Sequence, residues 1–301
     1  MNIFVTGGHG FLGQFLVKKL ISLGHSVDYP SSSQLDLCHP VENNKINKKY
    51  DRIFHLAAWT QAGDFCLHHP GEQWIINQKI NTNILDWWVN HQPQAKLISM
   101  GTSCSYDPEL PLVEENYLQG KPIASLFTYA MTKRMLQSGI MALSDQYDLN
   151  YLTVIPSTLY GPNYHQDGRQ MHFIFDLIRK ILNGKFSGSK VELWGDGNQR
   201  RELVLVDDFV DALIELDSKI TNQIINIGSG EDYSIKQFAE KICSKVHYDS
   251  DLIAYDTKRY VGARSKVLDN HKLIKILPKF QYTNLEDGLD LTINWFKNNF
   301  E

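Results

Sequence analysis

The chain has 301 residues, 43% of them hydrophobic and 21% charged. That is ordinary globular composition over a length that suggests about two domains, and it excludes global disorder. Lys and Arg number 30 against 34 Asp and Glu, a formal net charge of −4, which leaves no electrostatic footprint for nucleic acid, although a local basic cluster for an anionic small molecule stays open. No charged segment precedes an apolar stretch at the start, and no apolar run approaches the length of a membrane span. Cys38, Cys66, Cys104 and Cys243 form no CxxC pair and no ligand spacing, so no metal is expected, and scattered thiols fit a reducing cytoplasm.

In chain order, Asn2–Thr6 is a short β-rich run that leads into Gly7-Gly-His-Gly-Phe-Leu-Gly13. Phe11, Leu12, Phe15, Leu16 and Leu20 then recur at helical spacing up to Gly24, and 25–29 reads as a second strand. The alternation continues: strand 52–56, helix 72–89, strand 96–100, helix 125–146, and strand 151–155, stopped by Pro156. Parallel strands joined by helices predict an α/β, doubly wound (Rossmann) sheet over 1–160. Beyond Pro156 the texture changes. A turn at 160–163, a helix over 172–183 and a strand over 191–194 precede strand 202–206, helix 207–216 and strand 224–227. Helices close the chain at 234–246 and 285–298. The expectation is a smaller α/β substrate domain from 161–203 and 230–301, with about 204–229 rejoining the first sheet.

Gly7-x-x-Gly10-x-x-Gly13 sits between a strand and a helix, the context a dinucleotide fingerprint requires. The first glycine permits the turn, the second lets backbone approach a pyrophosphate, and the third lets the helix pack on the sheet. NAD usually calls for an acid at the end of the second strand. Asp28 lies inside the expected strand instead, and Pro30 and Ser31–Ser33 follow. Small hydroxyls leave room for a 2′-phosphate, but no arginine stands there to bind one. NADP(H) is therefore the preferred expectation and NAD(H) stays open.

Tyr129 and Lys133 are spaced i,i+4 on the long helix, on one face. A nearby cation favours the phenolate, so Tyr129 is expected to work as acid or base below the ordinary tyrosine pKa of about 10. Upstream, Ser99–Tyr106 supplies hydroxyls at the carboxyl edge of the sheet, where ligands bind in this fold.

These landmarks resemble the extended short-chain dehydrogenase/reductases over essentially the whole chain. They are joined by His55-Leu-Ala-Ala58, Asn77, Tyr160-Gly-Pro162 and Gly195–Glu202 leading to Val206-Asp-Asp208. Within that family the chain most resembles the GDP-L-fucose synthase branch, reductases of a GDP-4-keto-6-deoxy sugar. The closer hints are Gly101–Tyr106, Pro156–Pro162, His172 opening a helix, and Leu193-Trp-Gly195. The resemblance implies that Gly7, Gly10, Phe11, Leu12 and Gly13, with Ser31, Asp36, Leu56, Ala57, Ala58, Asn77 and Pro156, contact the cofactor. Tyr129 would protonate the C4 oxygen, Lys133 would tune Tyr129 and hold the nicotinamide ribose, and Thr102 would bind the carbonyl oxygen. Arg201 falls on the diphosphate arginine, Arg259 and Arg264 on a second basic stretch, and Arg179 and Trp194 complete the expected nucleotide-sugar site. Cys104 and His172 match a base and acid that exchange protons at C3 and C5, so reduction alone and epimerisation with reduction both stand.

Two departures leave the sugar open: Thr158 where many relatives have asparagine, and Tyr164-His-Gln166 where the branch has an aspartate–asparagine pair. Ser103 and Cys104 replace the acidic pair of the family's dehydratases and argue against dehydration. A 4-epimerase on the same scaffold is the other enzymatic alternative. A non-enzymatic cofactor sensor is disfavoured by the intact Thr102/Tyr129/Lys133 set. Relatives also dimerise through paired helices, so Trp74, Leu85, Trp88, Leu136, Ile140 and Leu143 are expected to include the contacts of a homodimer. The implied setting is the cytoplasmic supply of sugars for bacterial surface polysaccharides.

Overall fold

A computed structural model describes residues 1–41, 46, 48–259 and 263–299. Its elements run β1 (Asn2–Thr6), α1 (Phe11–Ser22), β2 (Ser26–Asp28), β3 (Arg52–His55), α2 (Phe65–His68), α3 (Pro70–His91), β4 (Lys96–Met100), α4 (Phe127–Tyr147), β5 (Tyr151–Pro156) and β6 (Thr158–Tyr160). There follow α5 (Phe173–Ser187), β7 (Val191–Trp194), β8 (Arg200–Leu205), α6 (Val206–Lys219), β9 (Gln223–Ile227), β10 (Asp232–Ser234), α7 (Ile235–Val246), β11 (Ile253–Asp256), β12 (Ser265–Lys266), α8 (His271–Ile276) and α9 (Leu285–Asn298).

The main sheet has six parallel strands in the order β2-β1-β3-β4-β5-β9. Its central strands are buried on both faces, as crossover helices on each side require. One face packs on α1 and α6 through Leu16, Leu20, Phe209, Leu213 and Leu216. The other packs on α3 and α4 through Ile84, Trp87, Trp88, Leu136 and Ile140. Strand order reverses between β1 and β3, which opens a crevice at their carboxyl ends.

The rest of the chain builds a second core. In the smaller sheet β8 pairs with β10 antiparallel and with β6 and β12 in parallel, and β7 pairs with β11 beside it. α5, α7 and α9 pack around Ile178, Phe238, Ile242 and Phe296. Strand β9 thus lies in the main sheet, and β8 in the small one. Short strands β6, β10, β11 and β12 were not visible in the sequence, because two to four residues carry too little alternation to read.

The expected dimer face needs a correction. Trp88, Leu136 and Ile140 lie inside the main core, at most 3% exposed. Trp74 is exposed, and Ile75, Met135 and Met141 join it on the outer faces of α3 and α4. Periodicity alone cannot say which apolar stripe of a two-faced helix meets the sheet. No helix among the described residues is long and apolar enough to cross a membrane.

Gly288 fixes how closely α9 lies on β6, since a Cβ there would stand 1.9 Å from the Tyr160 hydroxyl oxygen. Overpacking of this kind costs about 1–3 kcal/mol. Gly288→Ala is expected to lower the urea midpoint accordingly, and an unchanged midpoint would show that the contact yields freely.

Candidate active site

The glycine turn after β1 is built for close approach. Gly7 has φ +69°, and a Cβ on it would stand 2.9 Å from the Ala57 amide nitrogen. A Cβ on Gly13 would stand 2.1 Å from the Gly7 carbonyl oxygen. A Cβ on Gly10 would meet only that carbonyl, at 3.3 Å, so the outer side of the turn is open. Gly10 is also the N-cap of α1 and brings no side chain to its amides. A bare helix start above an open glycine turn suits a pyrophosphate. Phe11 and Leu12 open the helix and pack inward.

The strand ends are pinned by Thr6 and His55. The Thr6 hydroxyl accepts the amides of Leu56 (3.2 Å) and Ala57 (3.1 Å) and donates to His55 Nδ1 (2.9 Å), while His55 Nε2 donates to Asn81 Oδ1 (3.1 Å). Burial pushes the His55 imidazole down to about 4, which keeps it neutral in this network. Ala58 follows in the same segment. Asn77 is committed to the main chain: it clasps Trp59 N and O, both at 2.9 Å, and Gln73 O at 2.8 Å. It shapes the loop after β3 and has little left to offer a cofactor directly.

At the end of β2, Asp28 accepts hydrogen bonds from Lys48 (2.9 Å) and Tyr50 (2.7 Å). Partial burial opposes them, but these bonds bring its carboxyl below the usual range. The acid expected of an NAD site is therefore already engaged. Ser31 bonds to Ser33 and Gln34, and Asp36 to the Cys38 amide, so both loop residues are held locally.

The catalytic candidates meet after β4. The Thr102 Oγ1 accepts the Cys104 amide at 3.3 Å, and its hydroxyl favours ionisation of the nearby Tyr129 phenol. Arg134, one residue past Lys133, holds α4 to this turn. Its guanidinium donates to Ser105 O (2.9 and 2.5 Å) and Gly120 O (2.9 Å), and Ser105 Oγ donates to Ala130 O (3.2 Å). Tyr117 lies under the turn and accepts the Thr102 amide at 3.4 Å. Sequence reasoning missed Arg134 and Tyr117. Their work is with backbone carbonyls and amides, and spacing carries no signal for that.

Lys133 is 6% exposed, and burial alone lowers it to about 8. Among the described residues no carboxylate offsets its charge. A desolvated ammonium without an anion suits ribose hydroxyls and, with the glycine turn, fits a dinucleotide. One expectation is overturned. Burial pushes the Tyr129 phenol up, and Cys104, Tyr117 and Cys66 add to it, while the Thr102 hydroxyl opposes them. Tyr129 is thus a protonated phenol, a donor by default.

Cys104 Sγ lies 3.1 Å from Lys266 Nζ. Burial would raise the thiol, but Lys266, Thr102 and Arg201 together bring it below its ordinary value. His172 is the exposed N-cap of α5, and its amide donates to the Tyr164 hydroxyl at 3.3 Å. The surrounding protein and the charge of Lys266 push its imidazole down. Tyr164, part of the departed turn, stacks on Phe175 at 3.7 Å and meets Phe11 edge-on at 5.0 Å. Gln14 Nε2 also donates to Asn163 O at 2.9 Å. The turn thus ties α1 to the start of α5.

The basic candidates are less united. Arg201 stands beside Lys266 across β8 and β12. Trp194 is exposed, with Lys180 Nζ at 5.6 Å and Arg259 Cζ at 5.4 Å from its ring centre. Arg179 is paired with Asp176, which also holds Lys180 of that group, and the exposed Arg264 contributes its carbonyl to Arg200. Pro156 ends β5 at the carboxyl edge of the main sheet. No cluster of metal-binding side chains occurs among the described residues.

A glycine turn on a bare helix start, an uncompensated buried lysine and a phenol–hydroxyl pair define a dinucleotide-dependent oxidoreductase. The chain belongs to the NAD dependent epimerase/dehydratase family, whose profile matches residues 3–228. It is 29% identical over 310 residues to a GDP-L-colitose synthase of Yersinia pseudotuberculosis, covering 99% of this chain and 98% of that protein. It is 27% identical to the GDP-L-fucose synthase of Escherichia coli K12, covering 99% and 97%. Among solved structures it is similar to a GDP-L-fucose synthetase of Naegleria fowleri bound to NADP, with 25% identity, a TM-score of 0.83 and coverage of 99% and 93%.

An unpaired buried cation destabilises the fold that holds it. Lys133→Met is expected to raise the melting temperature of the cofactor-free protein at pH 7, by roughly 2–4 °C for each kcal/mol relieved. An unfolded lysine keeps its proton to about pH 10. Between about 8 and 10 the unfolded chain therefore binds more protons than the folded one, and wild-type stability rises with pH. The gap between variant and wild type should narrow over that range; a variant that melts lower at pH 7 would refute the uncompensated charge.

Proposed function

We propose that the chain is an NADP(H)-dependent reductase of a GDP-linked 4-keto-6-deoxy sugar that also epimerises C3 and C5 through Cys104 and His172. The observation that carries this reading is the Thr102–Cys104 turn. Its hydroxyl accepts the Cys104 amide and acts on the Tyr129 phenol, and its thiol lies 3.1 Å from the Lys266 ammonium, so carbonyl activation and a proton-abstracting thiol share one turn of chain. The names of the relatives support it: both synthases are named for GDP-linked L-sugars. Inversion at C5 is what carries a D-hexose into the L series, and a 4-ketone acidifies the neighbouring C–H bonds that must break.

Bound at the glycine turn, the cofactor would supply the hydride for C4. Thr102 then polarises the C4 carbonyl, and Tyr129, a neutral phenol, protonates its oxygen. Lys133 holds the ribose hydroxyls and steadies the phenolate left behind. The occupied Asp28 carboxylate and the hydroxyls of Ser31 favour the 2′-phosphate of NADP over the 2′-hydroxyl of NAD. Arg201 would hold the diphosphate, and Trp194 between Lys180 and Arg259 offers a stacking face for guanine. Two phosphate charges in the cleft offset Lys266 and Arg201, which raises the His172 imidazole toward a useful acid. The main sheet would hold the cofactor and the smaller core the nucleotide sugar. The chain would act in the cytoplasm, in surface-polysaccharide sugar supply, as a homodimer joined through the exposed Trp74, Ile75, Met135 and Met141.

Tyr129→Phe should lower turnover at least about a hundredfold with NADPH affinity nearly unchanged, since general acid catalysis contributes roughly 10² to 10⁴; near-wild-type turnover would remove Tyr129 from the mechanism. Turnover of the 4-keto substrate in D₂O should place deuterium at C3 and C5, read by NMR, and Cys104→Ser should abolish it. A reduced product with no deuterium at either carbon would leave a simple 4-reductase. Light scattering at micromolar concentration should give a mass twice 34.6 kDa, and the monomer mass would contradict the dimer.

A further inference from the structure

Lys266, two residues past Arg264 of the second basic stretch, reaches across 162 residues of chain to the catalytic turn. Strand β12 pairs in parallel with β8, so Lys266 stands beside Arg201 and both cations face the same turn. The partner the structure gives the Lys266 ammonium there is a thiol: Nζ to Cys104 Sγ is 3.1 Å. Sulfur in a neutral thiol is a weak acceptor, whereas a thiolate takes a charge-assisted hydrogen bond. The contact therefore has its full strength only when Cys104 is ionised.

The groups around the thiol point the same way. Lys266 and Arg201 are cations, the Thr102 hydroxyl also favours the thiolate, and Tyr129, Tyr117 and Cys66 act on it as neutral acids whose own protons are held more tightly for its presence. No carboxylate is among them. The charge of Lys266 also reaches His172 and disfavours the imidazolium. The leading influence on His172 is nevertheless the surrounding protein, so the hold of Lys266 is on the thiol it touches.

We propose that Lys266 is a positioning residue that holds Cys104 as a ready thiolate base beside the ketone. The proposal rests on the epimerase reading of the preceding subsection. In the step it prepares, the proton of the C–H bond next to the ketone moves to Sγ, and the bonding pair moves through the new C–C double bond onto the C4 oxygen as an enolate. Lys266 keeps its three protons throughout, and the thiolate's negative charge passes to the substrate oxygen, near Thr102 and Tyr129.

The test is the pH dependence of Cys104 alkylation by iodoacetamide in the full-length protein, with carbamidomethylation quantified on the Cys104 peptide by mass spectrometry so that Cys38, Cys66 and Cys243 do not contribute. Wild type should react with a midpoint below the ordinary cysteine value of about 8.5. Lys266→Met should move that midpoint up by about one unit or more, a rate loss of about tenfold at pH 7, and Lys266→Arg should restore most of it. Lys266→Gln serves as a second neutral variant, with NADPH binding and circular dichroism checking the fold of each. A Lys266→Met or Lys266→Gln profile that superposes on wild type would overturn the proposal. The same proteins in the D₂O reaction separate the two readings. A shifted alkylation profile with no deuterium at C3 or C5 in wild type supports the hold of Lys266 on the thiol and overturns only the epimerisation.

Discussion

The desolvated charge of Lys133 is the constraint around which the rest of this molecule is arranged. An ammonium 6% exposed and without a carboxylate is costly, and burial alone draws it down to about 8. The helix that carries it must therefore be held by something other than an ion pair. Arg134 does this from the next position, with its guanidinium on the carbonyls of Ser105 and Gly120, and Ser105 returns a hydrogen bond to the helix. The same contacts fix the 102–106 turn against α4. The geometry that tolerates the lysine is thus also the geometry that sets Thr102 against Tyr129.

Desolvation further decides which groups in the cleft are charged. Tyr129 and Tyr117 are driven toward their neutral forms, and His55 is neutral within its network. The Cys104 thiol is moved against the tendency of burial, because Lys266 and Arg201 reach it from the smaller sheet. The two cores are joined at this point by packing as well. Phe11, at the start of α1, meets Tyr164 and Phe175 edge-on, and Gln14 holds the 163 carbonyl. The glycine turn and the His172 helix are consequently parts of one rigid junction.

Much of this was legible in the sequence. The glycine spacing, the strand–helix alternation and the Tyr129/Lys133 pair are local patterns with fixed periods, and the main sheet follows from them. What was not legible depends on contacts between distant segments. Lys266 lies on a two-residue strand whose register against β8 has no local signature. Arg134 reads as an ordinary helical arginine until its carbonyl partners are seen. Trp88 and Ile140 share a helical stripe with residues that end outside the core. The expectation for Tyr129 failed for a related reason: i,i+4 spacing puts phenol and ammonium on one face, but it does not report how much water the site excludes, and burial outweighed the neighbouring charge.

The central claim is that this desolvated edge delivers a hydride to C4 of a GDP-linked keto sugar and a proton to its oxygen. The most direct measurement uses NADPH carrying deuterium at the transferring position of its nicotinamide, in ordinary water, with a GDP-4-keto-6-deoxyhexose. The account predicts one deuterium at C4 of the product for each NADPH consumed. A product without deuterium at C4, or a sugar changed with no NADPH consumed, would contradict it.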